Sequence, residues 1–177
     1  MNKEIEEWEQ VAMKFATEAH KGQICDSGKG YMEDHILPVV NLLKQITTDR
    51  DIITAGYLHD VLEDTPITYE FLMKRFGISV AELVKEVTNK QVYGVKDYFP
   101  NLVSKKAIII KFADRLQNIS RMEPWSEKRQ QKYLDRSKFW KNREDVIESL
   151  NGQIRMIGVN SISSKEAEKL FKSLKEL

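Results

Sequence analysis

The chain has 177 residues, of which 41% are hydrophobic and 31% charged, the balance of a globular protein long enough to bury a core without staples. Its 28 Lys and Arg against 27 Asp and Glu give a formal net charge of +1, which excludes a broadly cationic nucleic-acid binder but not a local basic pocket. One cysteine, Cys25, excludes an intramolecular disulfide framework and a Cys-rich zinc module.

The longest strongly apolar run, around residues 107–110, is far too short to span a bilayer, so no membrane partner is expected. The opening residues 1–8 are acidic and lack the apolar stretch of a signal peptide, which makes the cytoplasm the expected compartment.

The periodicity is helical almost throughout. Ile5, Trp8, Val11, Ala12, Phe15, Ala16 and Ala19 recur at intervals of three and four, drawing one apolar stripe on a first helix that should stop near Gly22. Residues 25–30 read as a loop rich in Asp, Ser and Gly. A second helix is predicted over 34–46, with Pro38 tolerated in its first turn and Ile36, Val39, Val40 and Leu43 facing inward. A third should start at Asp49 or Asp51 and run unbroken to about Leu62, before Thr65-Pro66 ends it.

Thr68 opens a short helix closing at Gly77, and Ser79 is the expected cap of the next, which runs to Val87. Residues 89–101, with Gly94, Pro100, Tyr93, Tyr98 and Phe99, read as a long loop of the kind that often holds substrate. Segments 104–121, 126–150 and 164–177 are helical again. The expected fold is all-α: one helical domain over 1–150, followed by a helical tail over 151–177.

Only three histidines occur, His20, His35 and His59. His59 is followed by Asp60 in the apolar setting Ala55-Gly56-Tyr57-Leu58-His59-Asp60-Val61-Leu62, where chargeable groups are costly to bury without a partner. His35 opens the second helix, and Asp114 is a carboxylate in the otherwise apolar stretch around Phe112. Two imidazoles and two carboxylates on three helices suit a divalent ion such as Mn, Fe(II) or Zn, with room for solvent ligands. The alternative on residue types alone is that Asp60 pairs with Arg115 or Lys111 and the histidines are hydrogen-bonded core residues. Glu63 and Asp64 follow His59 and Asp60 by four residues, one turn further along the same faces, where carboxylates can deprotonate a bound water.

Together these residues resemble the HD-domain metal-dependent phosphohydrolases, and within them the RelA/SpoT-type and stand-alone alarmone hydrolases. The matching stretches are Ala19-His20-Lys21-Gly22-Gln23, His35 with Val39 and Val40, Leu58 through Thr65, Phe76-Gly77, and Lys111 through Asn118. Trp125, Arg129 and Tyr133 resemble a later segment of the stand-alone enzymes. The resemblance implies His35, His59, Asp60 and Asp114 as ligands of a divalent metal, usually Mn²⁺. It implies Glu63 and Asp64 as the pair acting on the attacking water, and Asn118, Arg129 and Tyr133 as substrate-facing residues. The implied substrate is a small nucleotide, a guanosine 3′,5′-bis(diphosphate)-type alarmone that loses pyrophosphate from its 3′ end.

Three departures touch recognition of that substrate. Residues 24–26 are Ile-Cys-Asp where the family is basic, so no cation is expected beside Cys25 to stack on a base. Residues 30–34 replace the usual Pro-Tyr before the first ligand histidine, and Ser120 stands where an arginine is common, with Arg121 next to it. The competing readings are an HD phosphohydrolase acting on a 5′-monophosphate or an adenine alarmone, and a nucleotide-binding module without turnover.

Overall fold

A computed structural model describes residues 7–92, 95–97 and 104–137. The chain runs through α1 (Glu7–Ala19), a π-helical turn (Met32–Ile36), α2 (Leu37–Ile46), α3 (Arg50–Leu58), α4 (Val61–Asp64), α5 (Tyr69–Phe76) and α6 (Ile78–Val87). A short antiparallel hairpin follows, β1 (Lys90–Val92) with β2 (Val95–Asp97), and then α7 (Lys105–Ser120) and α8 (Glu127–Ser137). The fold is all-α in its packing. The tail at 151–177, the end of the helix predicted to 150, and Tyr93, Tyr98 and Phe99 lie outside the described residues.

Helix α7 is the central element. Ten consecutive residues, Ala107 through Leu116, are buried, because α2, α3 and α6 pack against it from different sides. Helices α2 and α3 approach closely at Gly56, where a Cβ would lie 2.4 Å from Leu43 Cδ1. The buried Glu9 carboxylate accepts from Tyr57 Oη at 2.8 Å and pairs with Lys44, so α1, α2 and α3 share a satisfied charge.

Four of the described helix starts carry side-chain caps, Ser126 accepting from Arg129 N–H at the start of α8. Asp49 accepts from the backbone N–H groups of Asp51 (2.9 Å) and Ile52 (3.2 Å), Thr68 from Phe71, and Ser104 from Ala107. Ser79 does not cap α6. It lies inside the helix, and Gly77 precedes the first residue with φ +89° and ψ 162°, a region open only to glycine, which lets α5 turn directly into α6.

Two further expectations are corrected. The stretch read as a loop over 89–101 forms a hairpin between residues 90 and 97. The helix predicted to run through His59-Asp60 is broken there. His59 Nδ1 donates at 2.8 Å to the Gly56 carbonyl, the group to which the Asp60 N–H would bond in a continuous helix, and Asp60 takes φ −99° and ψ −2°.

Candidate active site

The break between α3 and α4 swings the Asp60 carboxylate against two rings. His35 Nε2 and His59 Nε2 lie 3.1 Å apart, and Asp60 Oδ2 is 3.1 Å from each. From α7, Asp114 Oδ1 reaches to 3.5 Å from His35 Nε2 and 4.0 Å from His59 Nε2. All four residues are buried. The sequence-predicted ligands therefore meet at one point. The mutually close donor group is His35, His59 and Asp114, and the Asp60 carboxylate closes it on the imidazole side.

The arrangement fits a divalent ion. Ligand atoms about 2.0–2.2 Å from one ion stand roughly 3–3.5 Å from each other, a range that holds the His35–His59, His35–Asp60, His59–Asp60 and His35–Asp114 spacings, while His59–Asp114 is wider at 4.0 Å. In the neutral ring His59 keeps its proton on Nδ1 for Gly56, which turns the Nε2 lone pair into the cluster for an ion that displaces the second proton. The pattern is the one by which a backbone carbonyl fixes a ligating tautomer. His35 Nδ1 is buried with no hydrogen-bond partner, so no such bond fixes that ring's tautomer.

Electrostatics point the same way. Burial opposes the charge on Asp60, but His59 and His35 hold its carboxyl well below the usual range; burial likewise opposes Asp114, and Lys111 chiefly pulls it down. Burial would lower His59, yet Asp60 and Asp114 push it up to about 9. Four carboxyl groups, Asp60, Glu63, Asp64 and Asp114, line the cavity against Lys111 and Arg115, with Lys111 Nζ at 2.9 Å from Asp114 Oδ2, an acidic lining that favours a cation. Lys111 pairs with Asp114, while Asp60 Oδ2 is met by Tyr31, His35 and His59.

Glu63 and Asp64 sit on α4, after the break and not on a continued face of α3. Both still line a small cavity of about 160 Å³ with His35, Asp60 and Asp114. Glu63 accepts from the Asn89 backbone and side-chain amides, each at 3.1 Å, which fixes the position of its carboxyl group. Asp64 lies 3.5 Å from Tyr31 Oη.

Tyr31 was invisible to the sequence argument, although it lies in the segment that departs from Pro-Tyr. Its hydroxyl donates to Asp60 Oδ2 at 2.6 Å and its ring lies 5.1 Å from that of His35. The intervening π-helical turn brings residues 31 and 35 to the same carboxylate, an irregularity frequent at functional sites. Burial, reinforced by Asp60, holds the Tyr31 phenol protonated.

A larger cleft of about 440 Å³ adjoins the small cavity and shares Tyr31, Asn118 and Tyr133 with it. Asn118 donates to Asp114 Oδ1 at 2.7 Å and accepts from Arg121. Arg129 and Trp125 stack at 4.0 Å, and Trp125 meets Tyr133 edge-on. All three predicted substrate-facing residues thus line one space. The absence of a cation beside Cys25 is corrected: Arg121 Nη1 lies 2.8 Å from Cys25 Sγ, brought from 96 residues away by the docking of α7.

The family profile described as HD domain matches residues 12–96. Residues 12–96 are an HD domain. The matched stretch holds His35, His59, Asp60, Glu63 and Asp64, while α7 and α8 add Asp114, Asn118, Arg129 and Tyr133 from beyond it. A relative named guanosine-3′,5′-bis(diphosphate) 3′-pyrophosphohydrolase from Spiroplasma citri is 38% identical over 134 residues, 69% of this chain and 18% of that protein. One of the same name from Aquifex aeolicus (strain VF5) is 30% identical over 174 residues, 93% of this chain and 24% of that protein. The chain spans less than a quarter of the length of either relative. A solved structure, described as a metazoan orthologue of SpoT that hydrolyses ppGpp and plays a role in starvation responses, matches 99% of both chains with a TM-score of 0.68 at 21% identity, a likeness of fold. No helix among the described residues is long and apolar enough to cross a membrane.

Proposed function

We propose that this HD domain is a metal-dependent phosphohydrolase that releases pyrophosphate from the 3′ end of guanosine 3′,5′-bis(diphosphate), with Mn²⁺ as the ion held by His35, His59, Asp60 and Asp114. The observation that carries the reading is the continuity of the four-ligand cluster with a cleft large enough for a nucleotide, through Tyr31, Asn118 and Tyr133. The names of the relatives supply the substrate class.

When bound, the ion lowers the pKa of a water and screens phosphate charge. Glu63, fixed by Asn89, takes the proton of the attacking water, with Asp64 beside it. The water oxygen bonds to the phosphorus carried by the 3′ oxygen, and the bond between that phosphorus and the 3′ oxygen breaks. The 3′ oxygen takes a proton, leaving GDP and free pyrophosphate. Asn118 spans Asp114 and Arg121, and so ties the ligand cluster to the wall of the cleft. Arg129 offers a planar guanidinium for phosphate oxygens, and Tyr133 with Trp125 provides aromatic surface.

One observation favours a broader substrate range. The wall at Ile24 is apolar and 68% exposed, a surface that covers adenine as well as guanine. The test is a panel of purine 3′-diphosphates and 5′-monophosphates incubated with Mn²⁺-loaded protein, products being separated by charge. The reading predicts pyrophosphate from the 3′-diphosphates. Turnover confined to 5′-monophosphates would replace it with the general HD phosphohydrolase reading.

A further inference from the structure

We propose that Asp26 is a specificity-determining residue, which occupies Arg129 at the mouth of the cleft until a second phosphate group of the nucleotide replaces it. The inference rests on the phosphohydrolase reading above. Arg129 Nη1 lies 2.9 Å from Asp26 Oδ2, and the guanidinium is stacked on Trp125. Asp26 projects from a cross-braced turn: Cys25 N–H donates to Lys29 O and Gly28 N–H to Cys25 O, both at 2.9 Å, and Tyr31 N–H donates to Gln23 O at 3.0 Å. Arg129 stands in the first turn of α8. The ion pair therefore ties one wall of the cleft to the other.

Arg121, the other guanidinium in the cleft, is already committed. Its Nε and Nη2 donate to Asn118 Oδ1 at 3.2 and 2.8 Å, and its Nη1 faces Cys25 Sγ and, at 3.3 Å, Asp34 Oδ2. Arg129 is the guanidinium that a ligand can take over. Its side chain is 52% exposed and that of Asp26 49%, so their attraction is screened by water and weak. A phosphate group offers the guanidinium the same two parallel N–H bonds as a carboxylate but carries more charge, so it wins the exchange.

The two ends of the site thus differ. A ligand with phosphate only at the metal end leaves the Asp26–Arg129 pair closed and does not compete with Asp26. A nucleotide phosphorylated at both ends opens the pair and gains Arg129. Asp26 lowers affinity for every nucleotide that reaches Arg129, and so narrows the advantage of those carrying the second phosphate group over ligands that do not reach it.

The experiment compares the full chain with Asp26→Asn, Arg129→Gln and the double variant, measuring binding of GDP and of pyrophosphate by calorimetry and hydrolysis of guanosine 3′,5′-bis(diphosphate). Asp26→Asn should bind GDP roughly three- to tenfold tighter, the scale of removing one screened charge at contact distance. Pyrophosphate affinity should stay unchanged, KM for the bis(diphosphate) should fall by the same factor as GDP affinity rises, and kcat should hold. In the Arg129→Gln background Asp26→Asn should have no effect. Unchanged GDP affinity, equal tightening of GDP and pyrophosphate, persistence of the effect without Arg129, or no GDP binding by any variant would overturn the inference. Absence of bis(diphosphate) hydrolysis in all variants, with GDP still tightened by Asp26→Asn, would instead remove the phosphohydrolase reading and leave the role of Asp26 standing.

Discussion

Asp60 Oδ2 is the most contested atom in the molecule: one phenol and two imidazoles converge on it within 3.1 Å. Removing that charge with Asp60→Asn should abolish metal binding and lower thermal stability, because the surrounding donors lose their acceptor. Metal content by mass spectrometry together with a melting curve checks it, and a variant that holds the ion as tightly as the parent contradicts the ligand assignment. Tyr31→Phe deletes the 2.6 Å bond that orients Asp60 and the longer 3.5 Å contact with Asp64, so metal affinity should drop about 10–100-fold with the fold intact. Glu63→Gln keeps the shape of the carboxylate but not its basicity. It should retain metal and substrate binding while slowing turnover by roughly 10²–10⁴; loss of metal would make Glu63 a ligand instead. At this scale the sequence was informative about which residues carry charge into an apolar setting. It was silent on Tyr31 and offered Lys111 as a partner of Asp60 where the fold pairs it with Asp114, because what the tip of a side chain touches is set by the fold.

Helix boundaries set by local chemistry were legible from the chain alone. A cap such as Asp49, Thr68 or Ser104 accepts from N–H groups two or three residues on, so the cause and the signal lie in the same few residues. The break at His59-Asp60 and the π-helical turn were not legible. Each departs from 3.6-residue periodicity, one through a ring-to-carbonyl bond and the other through a wider turn, and the two meet across the fold where Tyr31 Oη and His35 Nε2 contact Asp60 Oδ2. Two substitutions test this level. Gly77→Ala forces a side chain into a glycine-only conformation and should cost about 1–3 kcal/mol in denaturant unfolding, with metal binding retained. Asp49→Ala removes a cap and the partner of Lys106, 2.7 Å away, and should cost about 0.5–2 kcal/mol. The Asp49 carboxyl is held below its usual value, against burial, by Lys106 and the α3 N–H groups. Its contribution is therefore present above the ordinary carboxylate pKa and lost as pH falls through the depressed one, so the gap between parent and Asp49→Ala should close in acid.

The whole molecule brings three separate stretches to one point: the π-helical turn, the broken joint between α3 and α4, and the middle of α7. Burying α7 on several sides positions Asp114 and Lys111, and its C-terminal end carries Asn118 and Arg121 into the cleft. Contacts such as Cys25 with Arg121 link residues 96 apart, and no local pattern announces them. Since the ligands come from elements distant in sequence, the ion should bind only the folded chain and raise its melting temperature with ion concentration. The most direct measurement is pyrophosphate release from guanosine 3′,5′-bis(diphosphate) by chelator-stripped protein titrated with Mn²⁺. The account predicts no release from the stripped chain, activity rising to saturation near one ion per chain, and no recovery in Asp60→Asn. Full release from the stripped chain, or orthophosphate in place of pyrophosphate, would contradict it.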